Sequence, residues 1–424
     1  MYKPRLVDEI LKRKLLGTGA VLIEGLKWCG KTTTAEQQAN SVIYMDNPVN
    51  RINNIKLAET DPSLILDGLT PRLIDEWQIA PQLWDAVRFT VDHRKMEGQF
   101  ILTGSAVPQI SEETKEKMHT GTGRIARLKM RTMSLWESGD SNGCVSLQKI
   151  LSGQKQSGPT VSNLSEIAYL CCRGGWPKAT LQDRSIALDR AEDYYQAVVN
   201  FDIVRASKIR VSRDRIQRLL WSYARFQGSR TSVNAITEDM KAGDSDSLDS
   251  RTVQSYIDTL KQIYVIEDMP AWNPNLRSKS AIRTTDTRYF SDPSIATTSL
   301  GIGPEDLIKD LNTFGFIFET MCVRDLRVYA ENLGGDVYHF RDSNGLECDV
   351  VIHFRNGNYG LIEIKLGGDT LIEEGVRTLL KLQKNIDTNK MGEPSFMMVL
   401  TATGEFAFQR PDGVYVVPIN TLKN

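Results

Sequence analysis

At 424 residues the chain is too long for one ordinary domain, and two to four are expected. Apolar residues make up 41% and charged residues 25%, the balance of a globular chain, and no apolar run reaches the ~18 residues of a membrane span. The net charge of −1 excludes nucleic-acid binding through overall charge, so any such role must come from local basic patches.

Ala20–Glu24 reads as a buried strand. The stretch "GLKWCGKT" (Gly25–Thr32) follows, and "KTTTAEQQA" then has helix character. Strand, glycine loop and helix are the context that GxxxxGK[ST] requires. Glycines let successive N–H groups turn inward toward phosphates, and the helix N-terminus adds positive potential. The loop Gly25, Leu26, Lys27, Trp28, Cys29, Gly30 and the first helical residues Lys31, Thr32 and Thr33 are therefore expected to hold ATP. Lys31 would reach the β- and γ-phosphates, and Thr32 would ligate Mg²⁺. Cys29, beside Gly30 and Lys31 at a helix start, reads either as an activated thiol or as a buried inert one.

"SVIYMD" reads as a second strand. "LIDE" is an apolar strand ending in two acids, with Asp75 placed to hold Mg²⁺ through water and Glu76 to orient and deprotonate the attacking water. "QFILTGSA" ends in Thr103, Gly104 and Ser105, and polar groups at a strand's carboxyl end lie at the ligand crevice of a parallel sheet. Thr103 and Ser105 are candidate phosphate or water sensors. Arg124, after a glycine pair in "GTGRIARLKM", reads as an arginine finger or sensor, or as a surface charge.

The order "GLKWCGKTTTA", "LIDEWQIAPQLWDAVRFTVD", "FILTGSA", "GR…SLWE" resembles the bacterial and archaeal AAA+-superfamily ATPases that carry a C-terminal DUF4143 domain. The likeness spans nearly the whole chain. It implies an ATP- and Mg²⁺-dependent hydrolase. Two positions depart from it: Lys27 stands where that family usually has arginine, and Cys29 where it has a small aliphatic residue. Lys27 keeps the charge and loses the bidentate fork.

"GDSNGCVSLQKILSGQKQSGPTVSN" is rich in Gly, Ser and Asn and reads as a connector. "RGGWPKA" is a glycine-proline break between helices. Between Arg205 and Arg230 there are eight Lys or Arg against one acid, Asp214. Two shorter helices follow, the second with an apolar stripe of Val253, Ile257, Leu260 and Ile263 behind an N-cap at Ser250. Three helices and then "YVIEDMPAW" resemble a winged helix, a common DNA reader; the exposed face of its recognition helix is polar and not basic, so a winged helix that only packs domains together is an equal reading.

In the last block Glu319 lies among apolar residues of a helix. "ECDVVIHF" and "YGLIEIKL" read as strands joined by an "RNGN" hairpin turn. Alternation puts Glu363 and Lys365 on one face, and counting through the turn sets Asp349 roughly opposite Lys365. This D…ExK set has the form of the PD-(D/E)xK nuclease fold, in which Asp349 and Glu363 would bind a metal, with Glu319 as a further ligand, and Lys365 would hold hydroxide. Lys365 could instead neutralise the acids itself and leave a site that only looks like a nuclease.

The fold class expected is thus α/β, with a P-loop domain on a parallel sheet (1–137), a connector and helical region (138–211), a winged-helix-like domain (212–303) and a restriction-endonuclease-like α/β domain (304–424). The function expected is ATP hydrolysis coupled to nucleic-acid engagement, DNA before RNA. The alternatives are an ATP-switched metal-dependent nuclease and a nucleotide-gated binder of a protein partner. A composite ATP site would draw on a neighbouring copy, so a homo-oligomer is also open. Six cysteines without CxxC or zinc spacing, and no apolar leader, read as a cytoplasmic protein.

Overall fold

The computed structural model describes residues 2–105, 121–207, 212–241, 248–274 and 284–424. Two compact units emerge: Met1–Arg131 with Gln262–Tyr264, and Thr132–Lys261 with Val265–Asn424.

The first unit is built on five strands, β1 (Ala20–Gly25), β2 (Ser41–Tyr44), β3 (Arg72–Asp75), β4 (Phe100–Gly104) and β5 (Ile125–Met130), in the order β2-β3-β4-β1-β5. All pairings are parallel. Ala20–Ile23 and Phe100–Leu102 are wholly buried, as strands covered on both faces must be. Trp77, Trp84, Leu83 and Val87, from the turn after β3 and the helix Leu83–Arg94, cover one face of the sheet. Because β4 lies between β1 and β3, the register brings Ile23, Thr103 and Asp75 level. Three carboxyl ends of strands therefore meet at one edge of the sheet.

In the second unit the predicted connector is ordered. Its residues form β6 (Val145–Ser146), the helix Leu147–Leu151 and β7 (Gly158–Ser162). Ser141 donates to the Leu422 carbonyl at 2.7 Å and Ser146 to that of Asn424 at 2.9 Å, so polar residues that look like loop spend their hydrogen bonds on the far end of the chain. β7 edges a seven-stranded sheet whose other members are β8 (Gly335–Arg341), β9 (Glu347–Phe354), β10 (Tyr359–Lys365), β11 (Phe396–Thr401), β12 (Gly404–Gln409) and β13 (Tyr415–Pro418), in the order β7-β12-β13-β11-β10-β9-β8. β14 (Leu422–Lys423) pairs with β6. β8, β9 and β10 form an antiparallel meander, and β11 joins β10 in parallel after the crossover helix Asp369–Asn385.

The three middle helices are Arg213–Arg225, Val233–Lys241 and Ser250–Gln262, with Val253, Ile257, Leu260 and Ile263 buried as the stripe requires. Ser250 is the first helical residue, and the Asp249 carboxylate before it accepts from the Arg251 N–H at 3.3 Å. Antiparallel bridges Ile266↔Phe290 and Met269↔Thr287 follow the last helix.

The "RGGWP" break is a packing device. Gly174 is left-handed (φ 68°), and a Cβ on Gly175 would lie 2.1 Å from the Met133 carbonyl oxygen. Asp292 accepts from Gly175 N at 2.9 Å, Thr132 Oγ1 at 2.6 Å and Ser294 Oγ at 2.6 Å, and pairs with Arg324 at 3.2 Å. Arg324 also holds Asp325 at 2.7 Å, and Asp325 accepts from Leu135 N at 2.9 Å. This fully buried network is tolerable because each charge meets an opposite charge and further hydrogen bonds.

Candidate functional site

Gly25, at the end of β1, has φ 152°, and a Cβ there would lie 2.0 Å from the Met130 carbonyl oxygen. Gly30 is left-handed and starts the helix Lys31–Glu36. Trp28 is also left-handed (φ 63°) with its ring 51% exposed, a conformation that costs a bulky residue roughly 1 kcal/mol and persists where the surroundings hold it. Lys31 is buried, and its ammonium donates to the carbonyls of Gly25 (3.0 Å) and Leu26 (2.7 Å), closing the loop upon itself.

Thr32 Oγ1 and Thr103 Oγ1 each donate to Asp75 Oδ1 at 2.6 Å. The hydroxyl and carboxylate expected to share a cation are thus in contact, with the strand between them supplying a third oxygen. Glu76 stands beside them in a left-handed turn (φ 55°). Gln78 Nε2 donates to Glu76 Oε2, and Ser105 Oγ lies 3.5 Å from the same oxygen. Burial raises the Glu76 pKa above the usual carboxylate range, opposed by the positive charge of Lys31. A base shifted in that direction is better matched to neutral pH.

Cys29 is 0% exposed and its thiol faces the Met130 carbonyl at 3.6 Å, which corrects the activated-thiol reading. The loop turns the Cys29 side chain into the body of the unit, so helix-end potential does not make it accessible.

Arg124 takes the surface-charge reading within its own chain. It precedes β5, whose Ile125 is level with Ala20, so it lies at the amino ends of the strands, roughly 20 Å of strand length from Gly25. There it pairs with Asp92 at 2.9 Å. It does not complete the site of its own chain.

Two residues escaped the sequence reading. Arg5 is buried and donates to the carbonyls of Cys29 (3.0 Å) and Arg131 (2.9 Å), tying the loop to the end of β5. Nothing local marks it, because its partners are 24 and 126 residues away. Gln78 is the other, since nothing in the segment after "LIDE" distinguishes it from its neighbours.

In the second unit, the ladder running to Ile362↔Val350 extends to set Asp349 across from Glu363 and not Lys365. Lys365 reaches both acids, Glu363 two residues back on its own strand at 2.9 Å and Asp349 on the neighbouring strand at 3.4 Å, while Asp349 also accepts from Ile364 N at 2.8 Å. Glu319, on the helix Leu311–Asn332, accepts from the Tyr289 hydroxyl. Burial and then the charge of Asp349 raise both Glu319 and Glu363 to about 8.

Among the described residues no group of three or more His, Cys, Asp or Glu side chains is disposed to hold a metal ion. The Lys365 ammonium stands between Glu363 and Asp349, two of the three carboxylates expected to hold a cation. A cleft of about 540 Å³ opens here, lined by Glu347, Asp349, Glu363, Lys365, Arg377 and Lys381 among others.

The basic stretch of the middle region is partly committed to structure. Arg225 pairs with Asp239 at 2.7 Å and Arg230 with Glu347 at 2.8 Å, while Arg210 lies outside the described residues.

The sheet and its level strand ends define a P-loop nucleotide-binding unit, and family comparison agrees. Residues 18–138 match the family described as AAA domain, 164–306 a domain of unknown function (DUF8612), and 314–422 a domain of unknown function (DUF4143). The chain therefore carries an AAA-type ATPase domain followed by a DUF4143 domain. It is 23% identical over 421 residues to the uncharacterized proteins Rv2008c of Mycobacterium tuberculosis and Mb2031c of Mycobacterium bovis, covering 97% of this chain and 82% of each relative. Among solved structures it is similar to the Walker-type ATPase PABY2304 of Pyrococcus abyssi (14% identity, TM-score 0.43, 70% of this chain and 94% of that one). The Aeropyrum pernix ORC1 protein in complex with DNA is a further match (16% identity, TM-score 0.22, 72% and 92%). Among the described residues no helix is long and apolar enough to cross a membrane.

Proposed function

We propose that the protein binds ATP with Mg²⁺ in the loop Gly25–Thr32, hydrolyses it, and uses nucleotide state to govern engagement of nucleic acid. The observation that carries the reading is the meeting of Thr32, Thr103 and Asp75 on one carboxylate oxygen, with Glu76 and Lys31 beside them. The glycine cradle fits phosphates, since a side chain at Gly25 would clash with backbone. Thr32 and Asp75 would hold the Mg²⁺, which when bound screens phosphate charge. Lys31 would exchange its two carbonyl partners for phosphate oxygens. Glu76, held by Gln78, would take the proton of the attacking water, with Thr103 and Ser105 orienting it.

The DUF4143 cluster supports a binding role in preference to cleavage, since Lys365 neutralises the acids that a nuclease would give to metal. Six unbridged cysteines suit a reducing, cytoplasmic setting. The test is ATP turnover of the full chain with and without single-stranded DNA, duplex DNA and RNA. Turnover that nucleic acid accelerates supports the coupling. Turnover indifferent to all three leaves an ATPase gated by something else, and no turnover at all removes the reading.

A further inference from the structure

Among the described residues four that are not glycine are left-handed: Trp28, Glu76, Lys95 and Tyr264. Trp28 and Glu76 belong to the site above, and Lys95 is an exposed cap on the helix Leu83–Arg94. Tyr264 (φ 64°) is left to explain. It follows the helix Ser250–Gln262, and Val265 N donates back to the Leu260 carbonyl at 2.9 Å, so Tyr264 stands in the turn that stops the helix. Glycine fills such a position without strain, and tyrosine does not. Strain of this kind persists where the surroundings hold the residue in place.

The first unit supplies those surroundings. Gln262–Tyr264 is part of that unit, although the rest of the helix is not. The Tyr264 hydroxyl donates to the Glu24 carboxylate, and the Lys129 ammonium lies 5.9 Å from the centre of its ring. Glu24 and Lys129 are level with each other on β1 and β5. Arg127, on the same face of β5, holds Glu24 at 3.0 Å. The Glu24 side chain is only 18% exposed, so its charge depends on these donors. Burial and then the Glu24 charge raise the phenol above its ordinary range, which keeps it a proton donor.

Glu24 is also the last residue before the phosphate loop. The next residue, Gly25, gives its carbonyl to the Lys31 ammonium at 3.0 Å. In the proposed function Lys31 leaves that carbonyl for phosphate oxygens, one residue away from the carboxylate that holds Tyr264. We infer that Tyr264 is a positioning residue of the ATP site: through Glu24 it fixes the end of β1, and it makes the last turn of the helix Ser250–Gln262 answer to nucleotide. This rests on the ATP reading above and gives it a relay, which runs from Lys31 through Gly25 and Glu24 to Tyr264.

The test is amide hydrogen exchange of the full chain, with and without a saturating non-hydrolysable MgATP analogue, read at Gly25–Thr32 and at Leu260–Ile266. In the wild type the analogue should slow exchange at the loop and change the rate at Leu260–Ile266 by about fivefold or more, the low end of ordinary coupling between sites. Tyr264→Phe removes the hydroxyl alone, and Tyr264→Gly removes the ring together with its strain. Both variants should keep the protection of the loop and lose the change at Leu260–Ile266. A merely structural residue would alter the melting temperature and leave the nucleotide response in place, so a response that survives in either variant overturns the inference. A variant that no longer protects the loop overturns it too, since Tyr264 would then belong to the binding machinery. Wild-type protection of the loop with Leu260–Ile266 unchanged overturns the relay and leaves the ATP reading standing. No protection of the loop in the wild type overturns both.

Discussion

Lys31 and Glu76 sit at the same strand edge, and the proposed function gives them separable work. Removing the Lys31 ammonium in Lys31→Ala takes away the charge that meets the phosphates, so ATP binding itself should fall, by roughly 100-fold or more in Kd, measured by calorimetric titration. Glu76→Gln keeps the size and the Gln78 contact and loses the base, so ATP should still bind while turnover drops by roughly 100-fold. Turnover like wild type in Glu76→Gln would falsify the assignment of the base. Cys29 gives a second residue-scale outcome. Its thiol is sealed under the loop against the Met130 carbonyl. A maleimide should label it only on unfolding, at the same slow rate with and without saturating ATP. Rapid labelling that ATP suppresses would show that the loop opens far more than this packing allows.

At the level of elements, the glycine turn Arg173–Pro177 is as constrained as the phosphate loop and for purely structural reasons. Gly175→Ala places a methyl group against the Met133 carbonyl, with the Arg324 guanidinium 3.0 Å away on another side. Overpacking of that kind should lower stability by about 2–3 kcal/mol, read as a shift in the denaturation midpoint, with ATP affinity unchanged. Arg324→Met should cost more, about 3–5 kcal/mol, because it strands Asp292 and Asp325 without a countercharge in the interior.

These elements also show what was legible in the sequence. The strands at Ala20, Ser41, Leu73 and Phe100 announce themselves as short apolar runs ending in polar residues, and the phosphate loop by its glycines. The β9–β10 hairpin follows from alternation around "RNGN", although a count through the turn sets Asp349 two residues from its observed level, since the count does not contain the pairing. The segment 138–162 could not be read, since its strands exist only by pairing with β12 and β14 more than 200 residues away. Arg5 was hidden for the same reason: a hydrogen bond to a distant carbonyl leaves no periodicity behind.

On the scale of the whole molecule, two units with different chemistry should respond to different conditions. MgATP bound as proposed, to the folded first unit alone, should stabilise it by about 2.7 kcal/mol at a hundred times its dissociation constant. The second unit should answer to pH. Glu319 and Glu363 both titrate near 8 when folded, because burial and the neighbouring Asp349 charge disfavour their ionised forms. Unfolded, they return to the ordinary carboxylate range near 4.3. Between those values the folded chain holds more protons than the unfolded one, so stability is fully present at pH 4 and is lost as the pH rises toward 8, by at most about 1.4 kcal/mol per pH unit for each proton. Calorimetry in EDTA from pH 5 to pH 8 should therefore move one transition downward, and added MgATP at fixed pH, without chelator, should move the other upward. Glu319→Gln should flatten the pH slope and leave the nucleotide response intact. If Glu319→Gln keeps the full slope, groups other than Glu319 set it and the assignment of the slope to this carboxylate is wrong. If both perturbations move one shared transition, the units unfold together, and the flattening in Glu319→Gln still identifies which carboxylates set the slope.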